Sequence, residues 1–143
     1  MDFSVKGKRI MGVDYGDVRT GLALSDISGS LSSAYCTLKE GGMRNTAIRV
    51  CEEAKKNGVS LIVVGLPKNM DGSEGGRAEV VRAFTEILSS LTEIPITMYD
   101  ERLSTVVSHQ LLSITGVGGK KRKSVIDALS AEIILQDYID RNR

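Results

Sequence analysis

Three segments of the sequence place acidic residues beside apolar ones, where a carboxylate is costly. Asp14 follows the apolar residues of IMGV, and the turn of GVDYGDVRTG comes directly after it. Asp100 and Glu101 follow ITMY, and Asp127 lies in the last helical segment. A buried ionised carboxylate needs a partner, so Asp14 indicates a metal site, a phosphate-binding hairpin or merely a turn. With one histidine, His109, and two cysteines that lack C-x-x-C spacing, hydrolytic chemistry here would depend on carboxylates.

Asp127 is the most informative of these acids because of its position around the helix. At roughly 100° per residue, Asp127 falls within an apolar arc, whereas Glu132 and Asp137 fall outside it and are expected to be solvent-exposed charges. The arc consists of Ala128, Ala131, Ile134, Leu135, Tyr138 and Ile139. A carboxylate on such a face must be paired or meet a cation. The alternative is an aspartate in the first helical turn, which the helix dipole favours.

One crevice that contains all three acidic segments would explain them together. Mg²⁺ and Mn²⁺ prefer carboxylate and water oxygens, and they bind through few protein ligands plus substrate phosphate. Two ions about 3.5–4 Å apart can stabilise both the attacking and the leaving oxygen of phosphodiester hydrolysis. Successive side chains of a strand point to opposite faces, so only one of Asp100 and Glu101 can point into the site from a regular strand.

The elements that must position these acids follow from periodicity and turn residues. Alternating or continuous apolar runs predict five strands, in KRIMGVDYG, TGLALSD, SSAYCTLKE, VSLIVVGLP and EIPITMYDE. Helical spacing predicts four helices, in MRNTAIRVCEEAKKNG, GSEGGRAEVVRAFTEILSSL, LSTVVSHQLLSI and SVIDALSAEIILQDYIDRN. This order predicts an α/β fold: a five-stranded mixed sheet, made of an antiparallel three-strand meander plus parallel strands, with helices on both faces. The three acidic segments would then meet at the carboxyl ends of the parallel strands.

Bulk properties narrow the class of protein. A length of 143 residues predicts a single domain, residues 1–143, with an ordinary apolar content of 41% and a net charge of +1. The apolar runs are much shorter than a membrane span, and the first residues lack a secretory pattern, so we expect a cytoplasmic protein without membrane contact. The two cysteines, Cys36 and Cys51, are expected to be reduced and partly buried.

Four blocks of the sequence resemble a known family. IMGVDYGDVRTGLALSD, VVGLPKNMDGSEGGRAEVVRAF, YDERLST and KKRKSVIDALSAEIILQDYID are similar, in this order, to the signature blocks of the YqgF/RuvX family. The resemblance runs from about Lys8 to Asp140, and GLPKNMDGSEG and DERLST are its most specific pieces. It implies an RNase H-like fold, the fold of a superfamily of metal-dependent nucleases that includes Holliday junction resolvases.

The resemblance also implies a set of site residues. It implies that Asp14, Glu101 and Asp127 form a catalytic, metal-binding triad for one or two Mg²⁺ or Mn²⁺ ions, with Asp100 as a supporting residue beside the ligands. The turn after Asp14 departs from the family, because Asp17-Val18 stands where many relatives have a small residue and a base. An additional acid in this turn would weaken its attraction for phosphate.

Basic and amide side chains near these acids are candidates for substrate binding. The glycine-rich segment GLPKNMDGSEGGR, residues 65–77, leads into a helix N-terminus that can hold a phosphate. The basic run in GVGGKKRKS would bind a nucleic-acid backbone with little sequence preference. Each candidate also has an alternative explanation. The glycine-rich segment would then be a flexible loop, Arg19 and Arg102 would pair with a site acid, and the basic run would be a solvated loop. The candidates are Arg19, Lys68, Asn69, Arg77, Arg102, Lys120, Lys121, Arg122 and Lys123.

These features lead to several functional hypotheses. The first is a metal-dependent endonuclease on structured nucleic acid, and the resemblance implies pre-16S rRNA, matured at its 5′ end, as the substrate. The second is cleavage of branched DNA, a four-way junction, which would require a homodimer rather than a monomer. A third is a ribosome maturation factor that binds nucleic acid without cleaving it. An ATPase with an actin-like phosphate hairpin is disfavoured, since 143 residues leave no room for a two-domain nucleotide clamp.

Overall fold

The computed structural model describes residues 9–101 and 119–142, and within 119–125 it describes the backbone alone. The elements are β1 (Arg9–Asp14), β2 (Thr20–Ser25), β3 (Ser32–Leu38), α1 (Met43–Lys56), β4 (Val59–Leu66), α2 (Gly76–Leu91), β5 (Ile96–Asp100) and α3 (Gly119–Arg141). The predicted helix in LSTVVSHQLLSI, which contains His109, lies outside the described residues.

The five strands form one mixed sheet, in the order β3-β2-β1-β4-β5. β1 and β2 pair antiparallel, as do β2 and β3, whereas β4 pairs parallel with both β1 and β5. The prediction of an antiparallel three-strand meander joined to parallel strands is therefore confirmed. This order brings the carboxyl ends of β1, β4 and β5 to one edge of the sheet.

Helices cover both faces of the sheet, as the sequence predicts. On one face, Met11 and Val13 of β1 pack with side chains of α1 and α2, among them the buried Val50 and Phe84. Asn57 and Gly58 end α1, and Gly58 has a φ of 65°, a conformation in which glycine avoids the strain of a side chain.

The second face carries α3, which approaches the strands closely because small residues face it. A Cβ atom at Gly12 would lie 2.8 Å from the Cβ of Leu135 and 2.9 Å from the carbonyl oxygen of Ala131. Ala131, Ile134, Leu135 and Ile139 of α3 form a second apolar cluster with Ala23 and Val63 of the sheet. These helix residues belong to the apolar arc identified in the sequence.

Side chains of α3 also cap the outer edge of the sheet. The backbone N–H groups of Ser32 and Ala34 in β3 donate to Gln136 Oε1 at 2.8 Å and to Glu132 Oε1 at 2.9 Å. Glu132 is therefore not the purely solvent-exposed charge that we expected, because it satisfies an N–H of an edge strand that lacks a second neighbour. Asp137 is a second correction, since it accepts hydrogen bonds from the Tyr99 hydroxyl and from Arg141.

Two helix boundaries differ from the predicted ones. The helix α2 begins at Gly76, the last residue of GSEGG, rather than at Gly72, because glycines are poor helix formers and Gly75 is extended. The helix α3 begins at Gly119, so the backbone of the basic run KKRK is helical and not a flexible loop. The prediction of a loop considered only the charge of these residues, whereas lysine and arginine also have high helix propensity.

Two smaller expectations can be compared with the structure. Cys36 and Cys51 are free and partly buried, as predicted. In the part of the chain that the structure describes, none of the helices is both long and apolar enough to cross a lipid bilayer.

The close approach of α3 at Gly12 can be tested with Gly12→Ala. The added methyl group must displace Leu135 or the backbone of α3, and overpacking of this kind costs about 1–3 kcal/mol. We expect the free energy of unfolding, measured by urea denaturation, to fall by that amount. Gly41→Ala is the matched control, because nothing lies within 4 Å of a Cβ at Gly41. Equal stability of the two variants would contradict this account of the interface.

Candidate active site

Asp14 ends β1 between two strands that each present a glycine beside it. Across the antiparallel pair, Asp14 is the register partner of Gly21 in β2. On the parallel side, Val13 pairs with Val64, so Gly65 of β4 follows beside Asp14. The Asp14 side chain is partly buried, and it shares the α3 face of the sheet with Gly12, since alternate residues of a strand face the same side.

The glycine of β4 gives Glu101 its place. A Cβ atom at Gly65 would lie 2.9 Å from Cγ of Glu101 and 2.8 Å from Cδ1 of Ile134. Glu101 thus packs over Gly65, beside Asp14, on the face that α3 covers. Only a glycine leaves this space for the Glu101 side chain.

The strand alternation of β5 distinguishes Glu101 from Asp100. Met98 packs in the core under α1 and α2, whereas Tyr99 packs in the cluster with α3. By alternation, Asp100 faces the side of Met98. The structure thus places Glu101 on the face of α3 and Asp100 on the opposite face, while their roles as ligand and supporting residue stay predictions.

The glycine of β2 brings Asp127 to the other side of Asp14. A Cβ atom at Gly21 would lie 1.9 Å from the carbonyl oxygen of Asp127, so the helix backbone rests directly on this strand residue. Asp127 is the ninth residue of α3, which starts at Gly119, and it therefore lies in the third turn. The dipole of the first turn cannot explain this carboxylate, which leaves pairing or a cation as the reason for its position.

The surroundings of the three acids raise the pKa of each carboxyl group. For Asp14, burial has the largest effect, and the charges of Glu101 and Asp127 raise the pKa further, to well above its usual value, while Arg77 lowers it. Burial also raises the pKa of Glu101, against the opposing effect of Arg77. The pKa of Asp127 is raised by burial in spite of its hydrogen bond to Arg19. A buried carboxyl group whose ionisation is disfavoured by two neighbouring carboxylates forms a site that a cation would stabilise.

The donor chemistry fits a hard divalent ion. All three side chains are carboxylates, the ligand type that Mg²⁺ and Mn²⁺ prefer, and Gly65 provides the space that the Glu101 carboxylate occupies. The ligand set is not fully assembled, however. Within residues 9–101 and 119–142, no three acidic, histidine or cysteine side chains lie close enough together to hold one metal ion. Asp127 instead pairs with Arg19, whose Nε donates to Oδ2 at 2.9 Å.

Arg77, at the start of α2, connects the turn after β1 to the rest of the site. Its guanidinium donates to the Tyr15 carbonyl oxygen at 2.6 Å and to Asp17 Oδ1 at 3.3 Å. It also lies 5.8 Å from the centroid of the Tyr15 ring, which stacks on Phe84 at 4.2 Å. Asp17 therefore pairs with Arg77, and a weaker attraction of this turn for phosphate stays a prediction.

The loop between β4 and α2 is ordered by its own polar side chains. Asn69 Nδ2 donates to Ser73 Oγ at 3.0 Å, and Asp71 Oδ1 accepts from the backbone N–H and the hydroxyl of Ser73. Lys68 lies near Glu74, whose pKa it helps to lower after the larger effect of Arg82. Asn69 and Asp71 thus shape the loop, and a substrate contact of Asn69 stays a prediction.

The structure describes the remaining predicted substrate-binding residues only in part. Arg102 lies outside the described residues, and for Lys120–Lys123 the structure describes only the helical backbone. Their contact with substrate stays a prediction.

Sequence reasoning missed the two glycines that flank Asp14. The sequence places Gly21 in the predicted strand TGLALSD and Gly65 in the predicted strand VSLIVVGLP but gives neither a role in the site, whereas the structure places them beneath Asp127 and Glu101. The signal was available, because a glycine within a strand often marks the close approach of another part of the backbone. Which group approaches could not be read from the pattern.

Comparison with known proteins gives the family. A family model described as "RuvX: Holliday junction resolvase" matches residues 8–141. The chain belongs to the RuvX family. The resemblance seen in the four sequence blocks is thereby confirmed over nearly the whole chain.

Named relatives of this RuvX-family chain are similar over most of their length. A protein of Endomicrobium trichonymphae is 43% identical over 133 residues, which cover 92% of this chain and 95% of the relative. A protein of Halothermothrix orenii is 45% identical over 136 residues, which cover 92% and 94%. Both bear the name "Putative pre-16S rRNA nuclease".

A solved structure supports the fold. Thermus thermophilus RuvC in complex with a Holliday junction substrate aligns with a TM-score of 0.59 and 14% identity, covering 94% of each chain. The RuvX-family chain thus has the RNase H-like fold of the RuvC-type resolvases, as the resemblance implied.

The raised pKa of Asp14 leads to a prediction for Asp14→Asn in the absence of divalent metal. A carboxyl group whose folded pKa lies above its unfolded value destabilises the fold when ionised, and this loss develops as pH rises through the folded pKa. We therefore expect Asp14→Asn to unfold at a higher temperature than the wild type, by a margin that increases with pH. Thermal unfolding in EDTA from pH 4 to pH 8 measures this margin.

Glu86→Gln, which removes an exposed acid of α2, serves as the control for a general charge effect. Its difference from the wild type should stay small at every pH. Addition of Mn²⁺ should raise the unfolding temperature of the wild type more than that of Asp14→Asn. A constant margin between Asp14→Asn and wild type across this pH range would contradict the proposed electrostatic strain.

Proposed function

We propose that this RuvX-family protein is a divalent-metal-dependent endonuclease that hydrolyses phosphodiester bonds, with the 5′ end of pre-16S rRNA as its substrate. One structural observation carries the proposal: Asp14 lies between two glycines over which Glu101 and the backbone of Asp127 pack. The names of the relatives from E. trichonymphae and H. orenii support the choice of substrate. In this reading, the protein acts in ribosome biogenesis.

The three acids would hold one or two Mg²⁺ or Mn²⁺ ions. When bound, a divalent ion supplies positive charge for the attacking water and for the leaving oxygen of the phosphodiester. Burial makes the carboxylates of Asp14 and Glu101 costly to ionise alone, so metal and the two ionised side chains stabilise one another. The helix α3, seated on Gly21, fixes the backbone of the third ligand, Asp127. Asp14 lies in a strand, Asp127 lies in a helix and Glu101 directly follows β5, which favours precise placement of the reacting groups.

The rim of the site would bind the phosphates of the substrate. Gly75 precedes α2 and has no side chain to cap the first N–H groups of this helix, which can therefore bind an anion. Arg77 stands in the first turn of α2 with an exposed side chain, and its charge already acts on Asp14 and Glu101. Lys68 lies in the loop that leads to the same helix. These groups recognise phosphate and not bases, so we expect recognition by shape rather than by sequence.

Cleavage of four-way DNA junctions is the second candidate function. The description of the family model favours it, as does the structure of T. thermophilus RuvC with a Holliday junction substrate. Symmetric cleavage of a junction requires two sites in a homodimer, whereas trimming of an RNA end requires only one. Substrate preference and oligomeric state therefore separate the two candidates.

A cleavage assay with purified protein and Mn²⁺ tests the proposal. The substrates are a pre-16S rRNA 5′-end fragment, a four-way DNA junction and unpaired single strands. We expect metal-dependent cleavage of the RNA fragment, and a loss of at least about 100-fold in Asp14→Asn, since charge-stabilising groups of active sites commonly contribute this much. Glu86→Gln should cleave like the wild type, because this acid lies on the exposed side of α2.

The other outcomes assign the protein differently. Preferential cleavage of the junction, with a dimer in solution, would support the resolvase function instead. Tight binding of RNA without cleavage in any metal would contradict the nuclease proposal and indicate a ribosome maturation factor.

A further inference from the structure

The third acid of the site has a partner that the first two do not share. Arg19 Nε donates to Asp127 Oδ2 at 2.9 Å, while Arg77 is the arginine whose charge acts on Asp14 and Glu101. The Arg19 bond uses an oxygen of the very carboxylate that would complete the metal ligands.

We propose that Arg19 and the divalent ion compete for Asp127: Arg19 neutralises Asp127 in the metal-free protein, and metal binding releases the guanidinium to a phosphate of the nucleic acid. This inference rests on the metal-dependent function proposed above and adds a role for Arg19. Arg19 is then a positioning residue in the free protein and a phosphate ligand only after the metal has bound.

The backbone around Arg19 is fixed, so the exchange involves its side chain alone. The Thr20 side chain is buried, and its hydroxyl lies 3.3 Å from both the N–H and the carbonyl oxygen of Gly16, which closes the turn before β2. Gly21, the next residue, lies beneath the backbone of Asp127. Arg19 therefore stands at a constant distance from Asp127, while its side chain is 29% exposed and can turn toward solvent.

The charges of the site support an exchange rather than a permanent pair. Ionised Asp14, Glu101 and Asp127 carry three negative charges, and Arg19 with Arg77 supplies two positive ones. A divalent ion adds two positive charges to this group, beside which Asp17 and Asp100 also lie, and so weakens the attraction that holds the guanidinium of Arg19 at Asp127. A phosphate of the substrate can then accept the released guanidinium.

The strength of the pair sets the size of the effect. The side chains of Arg19 and Asp127 are 29% and 24% exposed, so solvent screens their attraction and an ion can displace the arginine. Losing such a competitor should tighten metal binding by about threefold to tenfold, the factor that corresponds to a partly exposed ion pair.

Titration with Mn²⁺, followed by electron paramagnetic resonance of the free ion, tests the competition. We expect Arg19→Gln to bind Mn²⁺ about threefold to tenfold more tightly than the wild type, and Arg19→Lys, which keeps the charge, to bind close to the wild type. Arg82→Gln is the matched control, since Arg82 pairs with Glu74 at 2.6 Å on the exposed surface of α2. Its affinity for Mn²⁺ should equal that of the wild type.

A second measurement follows the released guanidinium. Binding of the labelled pre-16S rRNA fragment is compared in EDTA and in Ca²⁺ by fluorescence polarisation. The wild type should gain affinity on addition of Ca²⁺, and Arg19→Gln should lose most of this gain. Asp127→Asn, which releases Arg19 without metal, should bind RNA more tightly than the wild type in EDTA, whereas Glu86→Gln controls for the loss of one negative charge.

The outcomes separate this inference from the function on which it rests. Equal or weaker Mn²⁺ binding by Arg19→Gln would overturn the competition and make Arg19 a support for Asp127. Unchanged Mn²⁺ binding by Asp127→Asn, with binding lost in Asp14→Asn, would overturn it while preserving a metal site. Absence of Mn²⁺ binding by the wild type would overturn the metal-dependent function itself.

Discussion

The rest of this structure depends on three strand glycines, which leave room on one face of the sheet for α3 and Glu101 to pack closely. At Gly12, Gly21 and Gly65, a Cβ would lie 1.9–2.9 Å from atoms of α3 or of Glu101, so the helix can rest on the strands only because these atoms are absent. This contact brings Asp127 to Asp14, and the space at Gly65 admits Glu101. Glycine has a low strand propensity, but at these positions it allows three separate segments of the chain to meet at one site.

The resulting cluster opposes stability in the metal-free protein. Burial raises the pKa of Asp14, Glu101 and Asp127, and the charges of Glu101 and Asp127 raise that of Asp14 further, while Arg19 and Arg77 lower these values only in part. The apolar core on the opposite face, under α1 and α2, contains fully buried side chains such as Phe84 and Leu88, and the second apolar cluster supports α3 on the face of the site. A bound divalent ion would attract the ionised carboxylates and so stabilise the folded protein. In the metal-free protein, the Arg19–Asp127 pair would reduce the destabilising effect of these charges.

The family model and the sheet topology both indicate an RNase H-like protein, whereas the choice of substrate would depend on the groups around the site. The RuvX family model and the RuvC-like strand order give the RNase H-like framework. On this framework Arg77 interacts with the Tyr15 carbonyl oxygen, with Asp17 and with the site acids. The loop that contains Asn69 is ordered by a hydrogen bond to Ser73. Under the proposed function, these groups would contact the phosphates of the substrate, RNA or branched DNA.

The sequence by itself predicted the order of the elements that the structure describes, the mixed sheet and the three acidic segments that approach one edge of it. Hydrophobic periodicity is a local property, and the apolar arc of α3 identified Asp127 directly. Local patterns also misplaced the start of α3 and the role of Glu132, because helix propensity and an edge-strand contact compete with charge. Only the tertiary structure decided that Glu101 rather than Asp100 faces Asp14, that Gly21 and Gly65 give the acids their room, and that Arg19 holds Asp127. Each of these depends on contacts between residues far apart in the chain, and spacing along one element carries no information about which distant group fills the space beside it.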